Sequence, residues 1–348
     1  MIRLISRVLC LSFVAVLSTA PFSPSQAAED FYAGKQIRLL VGTDANGTYD
    51  SNARILARHM GKHIPGNPSF IVQNMPGAAS MKMTSYVYNG ASNDGTVIAM
   101  GQNTIPTSPL TSPNEARYDT GRLSWLGSAT REAYVGYVWH TAPVKTMEEA
   151  KTTQVLMGGS AVGTFSIDSA LIANTLFGMK FKPIIGYKSS GETKLAVQKG
   201  EVHGVMGTNW ASLKREVDWF KNNWVRYIVQ YGLRRDPQLS DIPLFIDFAK
   251  NEEDLKVAKF WVSVLEHGKP YFAPPGVPAD RLAILRRAFD STMKDPGYLK
   301  DMETAGENVE GPMGWQELTQ LVAEEASTPP SVVQRIGDAV QQFLKEGR

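Results

Sequence analysis

At 348 residues, with 43% apolar and 20% charged residues, the chain has the make-up of a folded globular protein rather than a disordered one. Its length exceeds what one core usually supports, so two domains are expected. The 36 basic residues stand against 34 acidic ones, and Arg3 and Arg7 account for the whole excess; the remainder is neutral and carries no basic stripe, which argues against nucleic acid or an anionic membrane surface as a partner.

The first 27 residues read as a secretory signal. Arg3 and Arg7 make a positive start, residues 8–17 are apolar but too short to span a bilayer, and Ser25-Gln26-Ala27 supplies the small residues that cleavage requires. A periplasmic location is the expectation. Cys10, the only cysteine, lies in this segment behind the bulky Leu9, so lipid attachment is not expected. The mature chain is left without thiol ligands, thiol nucleophiles or disulfides.

Beyond the signal, strand-like and helix-like segments alternate. Strands are expected at 37–41, 70–73, 97–100, 135–139, 155–157, 182–185, 204–206 and 225–230, where short apolar or β-branched runs lie between turn residues. Helices are expected at 51–62, 81–89, 147–151, 167–177, 191–199, 211–221, 279–295, 296–305, 315–325 and 330–345. The helix from Ala279 is well specified: Pro278 precedes it, Asp280 enters its first turn, and Leu282, Leu285 and Phe289 share a face. Alternation of this kind favours parallel sheets covered by helices on both faces, an α/β class.

One pattern occurs twice. Gly42-Thr43-Asp44-Ala45-Asn46-Gly47-Thr48-Tyr49 and Gly158-Gly159-Ser160-Ala161-Val162-Gly163-Thr164-Phe165 both follow an apolar run and lead into a helical one. A strand, glycine loop and helix start exposes unpaired amides at the positive end of a helix dipole, a setting that attracts anions. Gly47 and Gly163 permit positive φ or close approach, while Thr48, Asp50, Thr164 and Ser166 can cap the following helices. Each copy would be the first loop of its own doubly wound sheet, so two lobes are expected to face each other across a cleft. The expected division is residues 28–130 plus 256–348 for one lobe and 131–255 for the other, with crossings near 129–134 and 253–261. Asn209-Trp210 and Asn103-Thr104 follow apolar runs at matching places in the two lobes and are second candidates for cleft contacts.

Other chemistries find no support. The first loop lacks Gly-x-Gly-x-x-Gly and no Gly-Lys-[Ser/Thr] follows a glycine loop, which leaves no nucleotide motif. His59 and His63 have metal-ligand spacing on a helix, but Arg58 and Lys62 crowd them with positive charge, so neither a metal nor a cofactor is expected. No Gly-x-Ser-x-Gly elbow is present, so an enzyme is not expected.

Several stretches resemble the periplasmic substrate-binding proteins of tripartite tricarboxylate transporters, the Bug-type receptors. They are Arg38 to Gly42 followed by Asp50-Ser51-Asn52-Ala53-Arg54, then Asn74-Met75-Pro76-Gly77-Ala78, Asp94-Gly95-Thr96, Gly163-Thr164, Tyr187-Lys188-Ser189-Ser190-Gly191, Gly200-Glu201-Val202 and Gly276-Val277-Pro278-Ala279. Their order and spacing together carry the resemblance, which spans the mature sequence. It implies a two-lobed periplasmic-binding-protein (Venus-flytrap) fold, each lobe a sheet flanked by helices, closing on a small carboxylate for delivery to membrane permease subunits. A monomer is expected. In this reading the hydroxyls of Thr48 and Thr164 and the amides of Gly47 and Phe165 hold the acidic ends, and Tyr49, Phe165 and Trp210 shape the apolar middle. Asn46, Asn103, Thr104, Gly163 and Asn209 complete the expected site. Two departures stand out: the proline-rich first loop of many relatives is Gly42-Thr43-Asp44-Ala45-Asn46-Gly47 here, and their Gly-Ala-Gly-Gly is Gly77-Ala78-Ala79-Ser80. A ligand-sensing receptor for a two-component system and a periplasmic hydrolase are the alternatives, in that order.

Overall fold

Two mixed sheets organise the chain in the computed structural model, which describes residues 31–307 and 309–346. The expected signal segment and Cys10 lie outside those residues. In chain order the strands are β1 (Gln36–Val41), β2 (Ser69–Asn74), β3 (Val97–Met100), β4 (Ser124–Ser128), β5 (Tyr134–Trp139), β6 (Val155–Gly158), β7 (Phe181–Ile184), β8 (Gly204–Asn209), β9 (Val225–Tyr231), β10 (Pro270–Ala273) and β11 (Met313–Gly314). The first sheet has the order β11-β4-β10-β3-β1-β2 and the second β7-β6-β8-β5-β9.

Helices that flank the sheets include α1 (Thr48–Met60), α2 (Met81–Asn89), α3 (Phe165–Phe177), α4 (Ser190–Gln198), α5 (Trp210–Leu213), α6 (Val217–Lys221), α7 (Glu252–Ser263), α8 (Ala279–Thr292), α9 (Pro296–Thr304), α10 (Trp315–Ala326) and α11 (Pro330–Glu346). Alternation along β1 sends Ile37, Leu39 and Val41 into a core with α1, α8 and α9, and Leu40 into a second core with Met83, Val87, Leu318 and Val322. The second sheet is likewise covered twice. Val138, Met157 and Val229 face α3, α7 and α11, while Val135, Tyr137 and Val205 face α4, Trp210 and Trp219.

Four expectations from sequence change. The sheets are not parallel throughout: β1 pairs parallel with β2 and β3, but β10 runs antiparallel to both β3 and β4, and β5 antiparallel to β8 and β9. Strands that carry the chain between lobes have no crossover helix on their own sheet to restore direction, so they enter it reversed. The segment 211–221 breaks into α5 and α6 at Glu216, whose φ −81°, ψ 65° is not helical, and 147–151 holds only a 3₁₀ turn at Glu149–Lys151.

Finally, residues 253–261 are helix rather than crossing. Asn251 caps α7 by accepting the Asp254 amide at 2.8 Å, and three acidic residues fill its first turn. The helix packs in the core of the second sheet, where Val257, Ala258 and Val262 are buried, and α11 joins it there through Val332 and Ala339. All of α11 and the part of α7 from residue 256 onward fall within the stretch 256–348 that the sequence reading assigns to the first lobe.

Candidate functional site

The carboxyl ends of β1, β2 and β3 carry three loops that hold one another in place. Asn74, at the end of β2, donates to the Thr43 carbonyl at 3.0 Å and to Asp50 at 2.9 Å. Ser80, fully buried, donates to the Gly42 carbonyl at 3.0 Å and accepts the Gln102 amide at 3.2 Å, so one hydroxyl ties the ends of β1 and β3. Its loop is unusual: Ala78, Ala79 and Ser80 have φ of 46°, 47° and 73°, all left-handed. Side-chain-bearing residues rarely take that conformation.

The two glycine loops are stabilised in the same way, by a carboxylate from the helix that follows. Asp50 accepts the Asn46 amide at 2.9 Å, and Asp168 accepts the Gly163 amide at 2.9 Å. Each loop thus has an anion from its own helix, at the amides of Asn46 and Gly163 rather than at those of Gly47 and Phe165 expected to hold a ligand. The environments differ. Burial pushes the Asp50 carboxyl up, but bonds from Arg54, the Asn46 amide and Asn74 outweigh it and hold the group below its ordinary range. Burial raises Asp168, opposed only by the Gly163 amide. In the first loop the left-handed residue is Asn46, at φ 66°, whereas Gly47 is extended at φ −87°; in the second it is Gly163, at φ 90°.

Two crossings run side by side between the lobes. The Ala129 amide donates to the Lys269 carbonyl at 3.0 Å and the Glu132 amide to the Leu265 carbonyl at 2.8 Å. The Ser128 hydroxyl lies between the carbonyls of Thr130 and His267 and accepts the Lys269 amide at 3.1 Å. Gly268 is pressed against this lacing: a Cβ there would stand 2.0 Å from the Thr130 carbonyl oxygen. Buried His267 reaches the Asn103 carbonyl through Nδ1 at 3.0 Å and approaches Glu325 of α10 at 2.9 Å through Nε2.

Against these crossings lies a cavity of about 470 Å³. Thr48, Tyr49 and Asn103 line it from the first lobe, Asn209, Trp210 and Ser212 from the second. Tyr49 donates its hydroxyl to the Gly268 carbonyl at 3.3 Å and accepts the Asn103 amide at 3.2 Å. Asn209 caps α5 by accepting the Ser212 amide at 3.0 Å, and the Trp210 indole donates to Gln238 at 3.2 Å while packing edge-on against Tyr227. Charged groups lie at the crossings. Lys269, almost wholly buried, stands 4.0 Å from Glu132 and 3.7 Å from Glu307. Burial pushes Glu132 up from its ordinary range, with Lys269 and the Tyr134 hydroxyl opposing. Arg131 also borders the cavity, but its guanidinium pairs with Glu266 at 2.6 Å and Glu317 at 2.7 Å.

A second chamber of about 300 Å³ adjoins the first, sharing Tyr134, Asn209 and Ser212 with it. It opens at the ends of β6 and β8 and is lined by Gly158, Gly159, Ser160 and Ser166, with Lys188 and Thr193 from the next loop and helix.

Of the residues expected from sequence, the structure gathers Thr48, Tyr49, Asn103, Asn209 and Trp210 around one cavity. Asn46, Gly47, Thr104, Gly163, Thr164 and Phe165 are not among its lining. The Thr164 hydroxyl donates to the Ala161 carbonyl at 2.6 Å within its own turn. Phe165 stacks on Trp261 of α7 with centroids 5.0 Å apart and meets Tyr134 edge-on at 5.1 Å. Glu132, Tyr134, Lys269, Arg215 and Glu307 line the cavity without having been singled out from sequence. Glu132 and Tyr134 lie in the first expected crossing, a position that marks them as cleft residues once the crossing is taken as the cleft floor.

Two lobes, each an α/β sheet with its strand ends turned toward a shared polar cavity and with adjacent chain crossings behind it, define the class of two-lobed solute-binding proteins. The chain belongs to the tripartite tricarboxylate transporter family receptors, whose profile matches residues 52–338. Among solved structures it is similar in fold to a TctC solute-binding protein from Polaromonas, with a TM-score of 0.70, 16% identity, and coverage of 87% of this chain and 99% of the other. It is also similar to MatC from Rhodopseudomonas palustris with bound malate, with a TM-score of 0.55, 21% identity, and coverage of 88% and 99%. A further Rhodopseudomonas palustris protein, solved with adipate, has a TM-score of 0.57, 20% identity, and coverage of 87% and 97%.

Proposed function

We propose that the chain is a non-enzymatic receptor outside the cytoplasmic membrane, which captures a small carboxylate between its lobes and presents it to permease subunits. The observation that carries the reading is the polar cavity of about 470 Å³ walled by both lobes and backed by the laced crossings. A solute bound there touches Thr48 and Asn103 on one side and Asn209 and Ser212 on the other, so its affinity favours the closed arrangement. Malate and adipate in two proteins of the same fold support an acid as the solute. Thr48, Tyr49, Asn103, Asn209 and Trp210 are the proposed contacts; Asn46 and Gly47 shape the loop that leads into Thr48 and Tyr49, and Phe165 packs against Tyr134 at the cavity wall.

Native mass spectrometry of the purified protein, followed by thermal-shift measurements across C3 to C8 carboxylates, tests this. A retained acid, or a melting shift with at least one acid that is lost in the Asn209→Leu variant, is the expected result. Turnover of a bound acid, or no shift with any of them, overturns the reading.

A further inference from the structure

Three cations line the larger cavity, and they differ in what holds them. Arg131 meets Glu266 at 2.6 Å and Glu317 at 2.7 Å. Lys269 lies between Glu132 at 4.0 Å and Glu307 at 3.7 Å. Arg215 makes no ion pair among the described residues; its guanidinium donates to the Gly306 carbonyl, a neutral acceptor. Glu310, the remaining acid in the lining, is paired with Lys214 at 3.3 Å. Lys269 and Arg215 therefore balance Glu132 and Glu307 in number but not in place, since both carboxylates lie beside Lys269. A guanidinium carries five N–H donors in a planar fork that matches the edge of a carboxylate, and one neutral carbonyl leaves most of that capacity unused. The groups beside Arg215 are donors too. Asn209 spends its side-chain carbonyl on the Ser212 amide, which leaves its NH2 group to donate, and the Ser212 hydroxyl has no hydrogen-bond partner among the described residues. Both line the same cavity.

We infer that Arg215 receives a carboxylate of the solute, with Asn209 and Ser212 donating beside it, and so sets the preference for an ionised acid over a neutral amide of the same shape. The inference rests on the carboxylate-receptor reading above and names the residue that reads the charge. An amide offers one acceptor oxygen and turns an NH2 group toward donors, whereas a carboxylate brings two acceptor oxygens and the negative charge that Arg215 lacks as a partner. Arg215 follows α5 in the second lobe, and the carbonyl it holds belongs to Gly306, just past α9 in the first. A carboxylate bound there is gripped by a side chain that already touches both lobes, so recognition of charge and closure of the cleft fall on one group.

Isothermal titration of the full mature chain tests the assignment, with malate, glutarate, adipate, suberate and any acid that native mass spectrometry finds retained on purification, each beside its amide. Expected is a preference of about tenfold or more for the acid over its amide, the scale of one charge-assisted hydrogen bond. Arg215→Gln is expected to weaken the acid by about that factor while leaving the amide nearly unchanged. Lys214→Gln, which removes the neighbouring cation that pairs with Glu310 and does not line the cavity, is expected to keep the wild-type preference. Arg215 is exposed at the rim of the cleft, so its replacement removes no core contact, and Arg215→Met serves as a second variant with the same expectation. An acid-over-amide preference unchanged in the Arg215 variants, an equal loss in Lys214→Gln, or no such preference in the wild type overturns the assignment to Arg215 and leaves the carboxylate receptor standing. Binding of no acid overturns both.

Discussion

Tyr49 and Gly268 stand 219 positions apart, yet the Tyr49 hydroxyl donates to the Gly268 carbonyl at 3.3 Å. The first turn of α1, at the mouth of the cleft, is thereby joined to the second crossing between the lobes. The same hydroxyl accepts the Asn103 amide, so the loops after β1 and β3 and the crossing share one atom. Burial raises the phenol far above its ordinary range, so it remains a donor throughout the accessible pH range.

Removing that atom tests the joint. Tyr49→Phe keeps the ring but leaves the Asn103 amide and the Gly268 carbonyl without this partner. The expected loss of stability is about 1–2 kcal/mol by urea denaturation. Amide exchange at Asn103 is expected to accelerate while exchange in α3 stays unchanged; equal acceleration in both would show that the hydroxyl does not act locally.

Gly268 itself admits no side chain. Its φ is 35°, and a Cβ meets the Thr130 carbonyl oxygen at 2.0 Å, backbone against backbone. Gly268→Ala has to push the two crossings apart, at a cost of about 3 kcal/mol or more. A melting temperature within two or three degrees of the wild type, about the shift expected from 1 kcal/mol in a protein of this size, would show that the crossings separate freely.

The matched loop aspartates are expected to behave oppositely. Asp50 has a folded-state pKa below its ordinary value, so its contribution is present above the unfolded value of 3.8 and is lost as pH falls through the lower folded one. Asp168 has a raised folded-state pKa; its contribution is greatest below 3.8 and is lost as pH rises through the folded value. At pH 7, therefore, Asp50→Asn should cost about 2 kcal/mol and Asp168→Asn about 0.5 kcal/mol or less. Chemical denaturation of both variants at pH 7 and pH 4 measures the contrast, and equal costs at pH 7 would remove its basis.

Strain in the 78–80 loop gives a prediction of the other sign. Ala79 has φ 47°, ψ 46°, a left-handed conformation that costs an alanine about 1 kcal/mol relative to glycine. Ala79→Gly should recover part of that, offset by the freedom glycine adds to the unfolded chain. The expected outcome is a raised urea midpoint with unchanged m-value; a lowered midpoint would show that the loop relaxes without the alanine.

The eight strands named from sequence all form, because short β-branched runs between Gly, Pro and Asp are a local signal. The strands β4 and β10 are short and carry Gly127 or begin at Pro270, and they exist through pairing with segments more than a hundred positions away. The twin loops were legible for the same reason as the strands: glycine, threonine and an aromatic at fixed spacing describe a local turn. That Asp50 and Asp168 fold back onto those turns was not, since either carboxylate could equally have faced solvent. Glu132 and Lys269 become site residues only when residues 128–132 and 265–269 are brought side by side. Helix α7 carried a clear start signal in Asn251 and three acidic residues, and its amphipathic stripe does not say which sheet it covers.

The return of α11 to the second core has a mechanical consequence. With the laced crossings and the link at 327–329, three passes of chain span the gap, and the third is distant from the other two in sequence although Glu325, just before it, lies 2.9 Å from His267 of the second crossing. Torsion of one lobe against the other stretches at least one pass, so bending about the laced pair is left as the soft degree of freedom. The 327–329 link is short, so its extended reach of about 11 Å bounds how far α10 and α11 can part in any such bending.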